Sequence, residues 1–398
     1  MSPERLLLAF IAVSVSGGMA AGVMQLLLPL YAISLSVSPA GVGLMRGLAQ
    51  FGGLTTSLPG GFLIDRFGAR RVYAVSCLLD GIVIGLIPNF TSVRYLTAFL
   101  FLEGALGTLR WTTINSAFFS RLSDFGHSRV GWTRASLAVG ANFIGPLVGG
   151  VLAYRLSYHF SYIIVGAIVA APALALPLFR TTKSAIPPFR HVQGEPFLNQ
   201  FHGLLGNRPL WKVALLQSAG ISSNSSYLIY VVLMVVTIRG NSPAAASQVI
   251  AAQGIAFVIS MFWGGRLFER HSLRLLYAGS FLLQILGLLA TGCLTGQPLL
   301  VAGAVAFGLG SGLLTTVNFS RLGSMPGQKG KLSGLFFLIT GTGVALGPLW
   351  GGLLVKLWGI QAAFTGFVPI IAVALACVLL PRRSEAASLA RSPLHQSA

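Results

Sequence analysis

Charged residues are scarce in this chain of 398 amino acids. Asp, Glu, Lys and Arg make up only 9% of it, whereas soluble domains carry about 25%. Acidic residues are the rarest of these, with eight Asp and Glu against 27 Lys and Arg. Because 54% of the residues are hydrophobic, the chain cannot cover itself with a water-facing surface. The composition therefore excludes an ordinary soluble domain and predicts a polytopic membrane protein.

Residues that bind metals or form disulfides are also few. The three cysteines, Cys77, Cys293 and Cys377, lie far apart in apolar runs, so they form neither a metal-binding spacing nor a disulfide framework. All six histidines fall in loops or near predicted helix ends, which argues against a histidine relay inside the membrane. No nucleotide-binding loop and no Ser/His/Asp constellation is recognisable. We therefore expect no metal, no cofactor and no enzymatic activity.

Long apolar runs, in contrast, fill most of the sequence. A helix needs about 20 apolar residues to cross a bilayer, and we identify twelve such spans. We expect no cleavable signal peptide, because the first run is long and no small-residue cleavage site follows it. Numbered in chain order, the predicted spans are Leu6–Ile33, Ala40–Ile64, Val72–Pro88, Val93–Thr113, Val130–Ala153, Tyr158–Phe179, Leu210–Ile238, Ala244–Gly265, Leu273–Leu294, Pro298–Asn318, Leu332–Leu354 and Gln361–Leu380.

Basic residues cluster on one side of these spans. With both termini inside, 21 of the 27 Lys and Arg residues lie on the cytoplasmic face, four lie outside, and Arg46 and Arg110 fall within spans. This bias predicts a multi-pass protein of the inner or plasma membrane, with both termini cytoplasmic. It also explains the net charge of +19 by membrane orientation, so we expect the lipid bilayer as a partner and no nucleic acid.

The two halves of the sequence resemble each other. TTIN at residues 112–115 recurs as TTVN at 315–318, and GPLVGG at 145–150 recurs as GPLWGG at 347–352. Such repeats indicate a duplicated six-helix unit. The predicted organisation is a first six-helix bundle at residues 1–180, a central cytoplasmic loop at 181–209, a second bundle at 210–381 and a cytoplasmic tail at 382–398.

A charged turn between spans 2 and 3 carries the most specific motif in the chain. It reads GGFLIDRFGARR, from Gly60 to Arg71, and it recurs after span 8 with Glu269 and Arg270. The first copy resembles the signature loop of the major facilitator superfamily, although Ala69 stands where that family usually has a base. The matching positions are Gly61, Leu63, Asp65, Arg66, Gly68 and Arg70.

The resemblance implies an all-α transporter with twelve transmembrane helices in two pseudo-symmetric bundles of six. It also implies that the charged turns help to gate access to the two sides. The GP segments of spans 5 and 11 join this gating set, and the first resembles an exporter motif in which Ala141 replaces the usual glycine. Close helix packing explains these segments equally well. Their residues are Gly145, Pro146, Gly347 and Pro348.

Four charged residues fall well inside the spans, away from the span ends, and all belong to the first half. A charge at the centre of a membrane helix costs about 2.5–3.5 kcal/mol on insertion scales, so it usually has a function. In the family that the chain resembles, span 4 lines the central cavity, which makes Glu103 and Arg110 the leading proton-coupling candidates. Asp80 in span 3 is the next candidate, with a paired structural acid as an equal alternative. Arg46 lies in span 2.

One departure from the family affects proton coupling. Many proton-coupled exporters carry an arginine in span 4, four residues before a glycine. Here Leu100 occupies that position before Gly104. Coupling by the family's usual route therefore requires that Arg110 substitutes for the missing arginine.

Span 7 supplies neutral polarity instead of charge. Its run of Ser and Asn residues predicts one wall of a substrate cavity, and hydrogen bonding between helices is the alternative. The candidate substrate-binding residues are Gln25, Arg46, Arg110, Asn142, Gln217, Asn224 and Tyr227.

Three functions are compatible with these features. The favoured one is a monomeric secondary transporter that moves a small organic molecule by alternating access, as an exporter in exchange for protons. The second is an uptake permease or facilitator for an organic anion, with Arg46 and Arg110 as counter-charges. The third is a membrane protein that does not transport, such as a sensor.

Overall fold

The computed structural model describes residues 3–57, 59–119, 136–174, 206–294, 296–325 and 329–380. All regular secondary structure in these segments is helical. Nine of the described helices are long and apolar enough to cross a membrane. The helices of the other three spans are not among these nine. The helix of span 2 is broken, that of span 4 is long but more polar, and that of span 6 is apolar but shorter.

The helices of the first half follow the predicted spans. They are Pro3–Ser34 in span 1, Pro39–Ser57 and Pro59–Phe67 in span 2, Ala69–Leu86 in span 3, Val93–Phe119 in span 4, a π-turn Gly140–Ile144 continued by Gly145–Arg155 in span 5, and Tyr158–Ala170 in span 6.

The helices of the second half do the same. They are Arg208–Leu233 continued by a π-turn Met234–Ile238 in span 7, Pro243–Arg270 in span 8, Leu273–Cys293 in span 9, Gln297–Ser324 in span 10, Lys329–Trp358 in span 11, and Ala362–Thr365 with Val368–Leu379 in span 12.

Local sequence explains where several of these helices begin. The side-chain oxygens of Asn207, Ser242 and Ser272 each accept a hydrogen bond from the backbone N–H three residues later, at 3.1, 3.3 and 3.4 Å. Such caps satisfy donors that the first helical turn leaves free. Gly68 has a φ of +81°, a conformation that favours glycine, and it lets span 3 begin at Ala69 directly after span 2.

Predicted and observed boundaries differ in several spans; the helices of spans 4 and 10, for example, each extend six residues beyond the predicted ends Thr113 and Asn318. Span 3 starts three residues earlier than the predicted Val72, because the turn at Gly68 is tight. Span 12 is two helices rather than one continuous segment. Most of the predicted central loop, and the whole tail at 382–398, lie outside the described residues, so the domain boundaries there stay predictions.

The same helix pairs pack in each half. Spans 2 and 4 pair in the first half as spans 8 and 10 do in the second, and spans 1 and 5 correspond to spans 7 and 11. Glycines allow these contacts: a Cβ added at Gly104 or Gly308 would overlap the carbonyl oxygen of Ala49 or Gln253, respectively. The close approach of backbones thus repeats with the sequence.

The halves meet through spans 2 and 11 and through spans 5 and 8. A Cβ added at Gly150 would lie 2.8 Å from Ser247 Oγ, and one added at Gly352 would lie 3.1 Å from the Ala40 carbonyl oxygen. These contacts lie near the ends of the spans that face away from the chain termini. We call this side of the molecule the far face. The two halves are in contact there, at Gly150 and Gly352.

Candidate functional site

A cavity of about 270 Å³ lies within the second half. Spans 7, 8, 10 and 11 form its walls. Gln217 is nine residues into span 7, about 14 Å from its start at 1.5 Å per residue. The cavity thus extends from the middle of the bundle toward the face of the termini. It is lined by Gln217, Gly220, Ile221, Asn224, Phe257, Ser311, Leu314, Thr315, Phe319, Phe336, Phe337, Thr340, Gly341 and Val344.

Gln217 is held in this wall by a buried hydrogen-bond network. Asn318 Nδ2 donates to Gln217 Oε1 at 2.7 Å, and Gln217 Nε2 donates to Thr315 Oγ1 at 3.3 Å. Asn318 Oδ1 in turn accepts a hydrogen bond from the Tyr277 hydroxyl at 2.6 Å. The network joins spans 7, 9 and 10 and leaves Gln217 little freedom to rotate, so this part of the wall is preorganised.

Asn224 lines the same wall about two helical turns beyond Gln217 on span 7. Its Oδ1 accepts a hydrogen bond from Gln253 Nε2 of span 8 at 3.1 Å. Among the described residues, the Asn224 side-chain nitrogen has no acceptor. It can therefore donate a hydrogen bond to a molecule in the cavity.

The charged residues of the first half lie apart from this cavity. Asp80 Oδ2 and Arg110 Nε form an ion pair at 3.2 Å, in which the Asp80 side chain is fully buried and Arg110 is 15% exposed. Span 1 leaves room for the guanidinium, since a Cβ added at Gly17 would lie 3.6 Å from Arg110 Nη1. The pair therefore joins spans 3 and 4 against span 1.

Glu103 lacks the arginine partner that the sequence suggested. Among the described residues, neither Arg110 nor Arg46 of span 2 forms an ion pair with it within 4 Å. The charges of Arg46 and, second, of Arg110 act on Glu103 at longer range. Asp80 in turn interacts with both Arg110 and Glu103. Two acids and two arginines thus form one charge-balanced cluster across spans 2, 3 and 4.

The charged turn of the motif lies at the face of the termini. Arg66 is exposed and its guanidinium carbon stands 5.4 Å from the centre of the Phe67 ring, while Arg70 is exposed as well. The Asp65 side chain lies outside the part of the molecule that the structure describes. A Cβ on Gly61 would meet no neighbouring atom within 4 Å, so no close contact explains that glycine.

The related turn after span 8 is built differently. Glu269 and Arg270 are exposed at the end of that span. His271 has an extended backbone, and Ser272 caps span 9. The second turn therefore has no counterpart of the left-handed Gly68.

Both GP segments lie where the halves meet. In span 5, the π-turn directly precedes Gly145 and Pro146, and Ser247 Oγ of span 8 donates to the Pro146 carbonyl at 2.7 Å. A π-turn inside a membrane helix is uncommon and is often found at functional sites. The segment therefore carries a direct polar contact between the halves.

Span 11 accommodates its proline without a π-turn. Proline cannot donate to the carbonyl four residues earlier. That carbonyl, on Val344, accepts a hydrogen bond from Ser225 Oγ at 3.1 Å, and the Pro348 carbonyl accepts one from the Tyr230 hydroxyl at 3.1 Å. Gly347 packs against span 7 as well, since a Cβ there would overlap the Ser222 carbonyl oxygen.

The remaining candidate binding residues do not line the cavity. Tyr227 is buried between Phe307, at a ring-centroid distance of 4.4 Å, and Phe364, at 5.7 Å. Asn142 belongs to the π-turn of span 5 and packs on Gly254 of span 8. Gln25 is half-buried in span 1. Of the predicted set, Gln217 and Asn224 meet at the cavity, and Arg46 and Arg110 at the charge cluster.

Several cavity residues were absent from the sequence-based candidates. Phe319, Phe336 and Phe337 supply aromatic walls, and Ser311 and Thr340 supply hydroxyls. The repeated TTVN segment contains Thr315 and ends at the networked Asn318, so it is a signal that could have pointed to span 10. No group of three or more His, Cys, Asp or Glu residues that could hold a metal ion occurs in the described segments.

The fold is similar to solved transporter structures. A single-residue mutant of the nucleoside transporter NupG aligns with a TM-score of 0.80 and 15% identity, over 94% of this chain and 100% of that one. A bacterial homologue of the human lysosomal transporter Spinster, in an inward-facing and unoccupied conformation, aligns with a TM-score of 0.71 and 14% identity, over 95% and 94% of the two chains. At such low identity the likeness concerns the fold.

Curated relatives match a smaller part of the chain. The multidrug resistance protein B homolog of Mycobacterium tuberculosis is 28% identical over 188 residues, which are 44% of this chain and 35% of the relative. The uncharacterized MFS-type transporter Rv1250 of the same species is 30% identical over 142 residues, 35% of this chain and 24% of the relative. The chain thus spans about a third or less of the length of these relatives.

The family assignment rests on nearly the whole sequence. The family model of the Major Facilitator Superfamily matches residues 8–242 and, again, residues 218–394. The all-helical fold agrees with the solved transporters. The chain therefore belongs to the major facilitator superfamily, whose members are membrane transporters rather than enzymes, and it is itself a multi-pass membrane protein.

Proposed function

We propose that this protein is a secondary active transporter that exports a small organic molecule from the cytoplasm by alternating access, in exchange for protons. The observation that carries the proposal is the cavity between spans 7, 8, 10 and 11, which has the network-held Gln217 and the free donor of Asn224 in its wall. Ligand pockets typically combine apolar walls with a few fixed polar groups.

The cavity favours an uncharged and largely apolar substrate. Four phenylalanines contribute to its walls, and none of its lining residues is ionisable. Aromatic rings pack well against flat organic molecules, and the neutral amides and hydroxyls supply a few directional hydrogen bonds. A substrate with one or two polar groups on an aromatic or alicyclic body fits these walls best. The phenylalanines are Phe257, Phe319, Phe336 and Phe337.

Proton coupling is assigned to the charge cluster of the first half. Because two acids and two arginines balance each other there, adding a proton to Glu103 leaves a net positive charge in a low-dielectric region. Such a change biases a two-state equilibrium between inward and outward access. Glu103 is the proposed coupling acid, Arg110 is the proposed partner, and Asp80 is the next acid to test.

The export direction is supported by a relative. The cavity lies toward the face of the termini, where the basic residues favour the cytoplasm, but an importer and an exporter both have a state with this access. The multidrug resistance protein B homolog also resembles part of this chain, and its name concerns drug resistance. Because one chain contains the complete cavity, we propose a monomer as the working unit in the inner or plasma membrane.

Uptake of an organic anion is the alternative. Its support is the presence of Arg46 and Arg110 inside the spans, where a carboxylate could pair with them. In the structure Arg110 is already paired with Asp80, so an anion at Arg110 would have to displace that carboxylate. An anionic substrate predicts that Arg110→Gln weakens binding, whereas a cationic substrate predicts dependence on Glu103.

The function is tested in proteoliposomes with an imposed proton gradient and a panel of neutral, cationic and anionic aromatic compounds. The proposal expects uphill movement of a neutral or cationic compound, against the direction of proton flow, and loss of that movement when the gradient is collapsed. Accumulation of anions alone would favour the permease. No gradient-dependent movement of any panel compound would contradict proton-coupled export.

A cysteine at Asn224 tests the cavity itself. Cys293 and Cys377 are exposed and Cys77 is buried, so the background is Cys293→Ser with Cys377→Ser. We expect Asn224→Cys to react with a small water-soluble thiol reagent, and the transported compound to slow that reaction. A cysteine at Tyr227, which is fully buried, is the matched control and should not react. Equal rates with and without the compound would contradict a substrate-facing wall.

A further inference from the structure

Gln284 of span 9 is a fully buried amide that has no hydrogen-bond partner in the described part of the chain. Its relative exposure is 0%, and both Oε1 and Nε2 are without partners there. Burying an amide without compensation is unfavourable, so native proteins nearly always pair such groups. An unpaired carboxamide inside a membrane protein is therefore a candidate for pairing with a ligand.

Gln284 occupies the position in the second half that Asp80 occupies in the first half. It follows Asp80 by 204 residues, and Asp80 is paired with Arg110. Where span 4 supplies that cation, span 10 has the apolar Leu313 and Leu314. The second half therefore keeps a polar group at this position but provides no partner for it among the described residues.

The Gln284 amide lies directly behind the cavity wall. A Cβ added at Gly220 would be 3.4 Å from Gln284 Oε1 and 3.6 Å from Nε2, and Gly220 lines the cavity. The same Cβ would overlap Leu314 Cδ2, and Leu314 also lines the cavity. The Leu314 side chain and the Gln284 amide therefore both lie against Gly220, which has no side chain to separate them. A change of the Leu314 rotamer would open the amide to the cavity.

A second unpaired group lies on span 10, which packs against span 9. Ser311 lines the cavity, and its buried Oγ has no hydrogen-bond partner in the described residues. Its neighbour Gly310 packs on Gln284, since a Cβ there would lie 3.0 Å from Gln284 Cγ. Unpaired donor and acceptor capacity is thus present on both span 9 and span 10 beside the cavity.

We propose that Gln284 forms a specificity subsite of the cavity, covered by Leu314, for a neutral group that presents a donor and an acceptor side by side. A lactam or primary amide edge has this pattern. Its N–H donates to Gln284 Oε1, and its carbonyl accepts from Gln284 Nε2. Ser311 Oγ, which is unpaired and belongs to the cavity wall, can supply a further hydrogen bond to the same molecule. This subsite rests on the proposed function, because it extends the same substrate cavity.

The test uses two aromatic probes that differ in one donor. 2-Quinolinone has a lactam N–H beside its carbonyl, and N-methyl-2-quinolinone lacks the N–H. Binding of each to the purified full chain in detergent is measured by calorimetry. We expect wild type to bind 2-quinolinone at least about tenfold more tightly than the N-methyl compound, a ratio that corresponds to one directional hydrogen bond. Gln284→Met, which keeps the volume but removes both polar atoms, should reduce that ratio to near one.

Two further variants separate the subsite from the cavity. Leu314→Ala should tighten 2-quinolinone binding more than binding of the N-methyl compound, because it uncovers the amide. Phe257→Ala should weaken both probes by the same factor. Gln284→Met should leave the unfolding temperature unchanged or raised, because the amide forms no hydrogen bond with described residues that the substitution would break.

The outcomes distinguish the two proposals. Equal binding of both probes by wild type, or an unchanged ratio in Gln284→Met, overturns the subsite while sensitivity to Phe257→Ala upholds the cavity. Binding of neither probe by wild type also overturns the subsite as stated. Binding of both probes that is insensitive to Phe257→Ala overturns the cavity itself as the substrate site.

Discussion

The two halves of the molecule share one arrangement of helices but differ in the polar groups that this arrangement encloses. The first half encloses charges, in the form of the Asp80–Arg110 ion pair and the interacting Glu103 and Arg46. The second half encloses amides and hydroxyls around a cavity of about 270 Å³. Equivalent helix pairs pack in both halves, so the difference lies in the side chains that these pairs enclose.

The difference indicates how a duplicated unit can acquire two tasks. Charges in the membrane are unfavourable unless paired, and a paired cluster responds strongly to the gain of one proton. Neutral polar groups respond little to pH but supply directional contacts to a ligand. We infer a division in which the first half senses protons and the second half holds the substrate.

Breaking the ion pair of the first half should have the largest effect. Arg110→Gln leaves Asp80 buried without its cation, and loss of one partner of a buried pair costs about 3–5 kcal/mol. The double variant Asp80→Asn with Arg110→Gln removes both charges and should recover most of that loss. Unfolding in a detergent titration measures the difference. An equal loss in the single and double variants would show that the two residues are not energetically paired.

Neutralising the acid in each charged turn should have the second largest effect, and the effect should be larger in the first half than in the second. We expect Asp65→Asn to reduce the transport rate about tenfold, which corresponds to about 1.4 kcal/mol in a barrier, while membrane insertion stays normal. Glu269→Gln is the matched change in the second half. It should have a smaller effect, because Ser272 caps span 9 and no left-handed glycine shapes that turn. Initial rates normalised to inserted protein measure both, and similar rates in Asp65→Asn and wild type would argue against a gate there.

Removing one hydrogen bond from each GP segment should have the smallest effect of the three comparisons. Ser247→Ala and Tyr230→Phe each remove one hydrogen bond to a proline carbonyl, worth about 1 kcal/mol. Ser247 joins the halves, whereas Tyr230 bonds within its own half. Ser247→Ala should therefore shift the access equilibrium about fivefold, and Tyr230→Phe should mainly lower stability.

Spin labels at the exposed positions Arg155 and Ala244 measure the separation of spans 5 and 8 at the far face. We expect the population with a longer distance to grow in Ser247→Ala. A distribution identical to that of wild type would mean that the hydrogen bond does not hold the far face closed.

The number and order of the helices were largely predictable, because the length and hydropathy of each apolar run indicate a membrane span. The duplicated segments predicted equivalent halves, and the charged stretch between two apolar runs predicted a turn between spans 2 and 3, which Gly68 makes with a φ of +81°. The positions of breaks were less predictable. Neither the π-turn of span 5 nor the split of span 12 follows from hydropathy, because both depend on how a proline or glycine packs against a neighbouring helix.

The site was predictable only in part, because side-chain partners depend on three-dimensional packing. Glu103 and Arg110 lie on one helical face, but seven residues separate them by about 10 Å along the axis, and the structure places Asp80 next to Arg110 instead. Span 7 has small polar residues on several faces, so sequence alone does not tell which face meets the cavity. Asn224 faces it, whereas Tyr227, three residues later, packs into the core.

The division of tasks is tested most directly by comparing Glu103→Gln with Asn224→Leu in the same proteoliposomes, using the compound that wild type transports. Uphill accumulation on a proton gradient and downhill exchange without one are measured for each. We predict that Glu103→Gln loses accumulation but keeps exchange, and that Asn224→Leu loses both because substrate binding is weakened. If Glu103→Gln still concentrates the compound on the gradient, or if Asn224→Leu transports normally, the assigned division is contradicted.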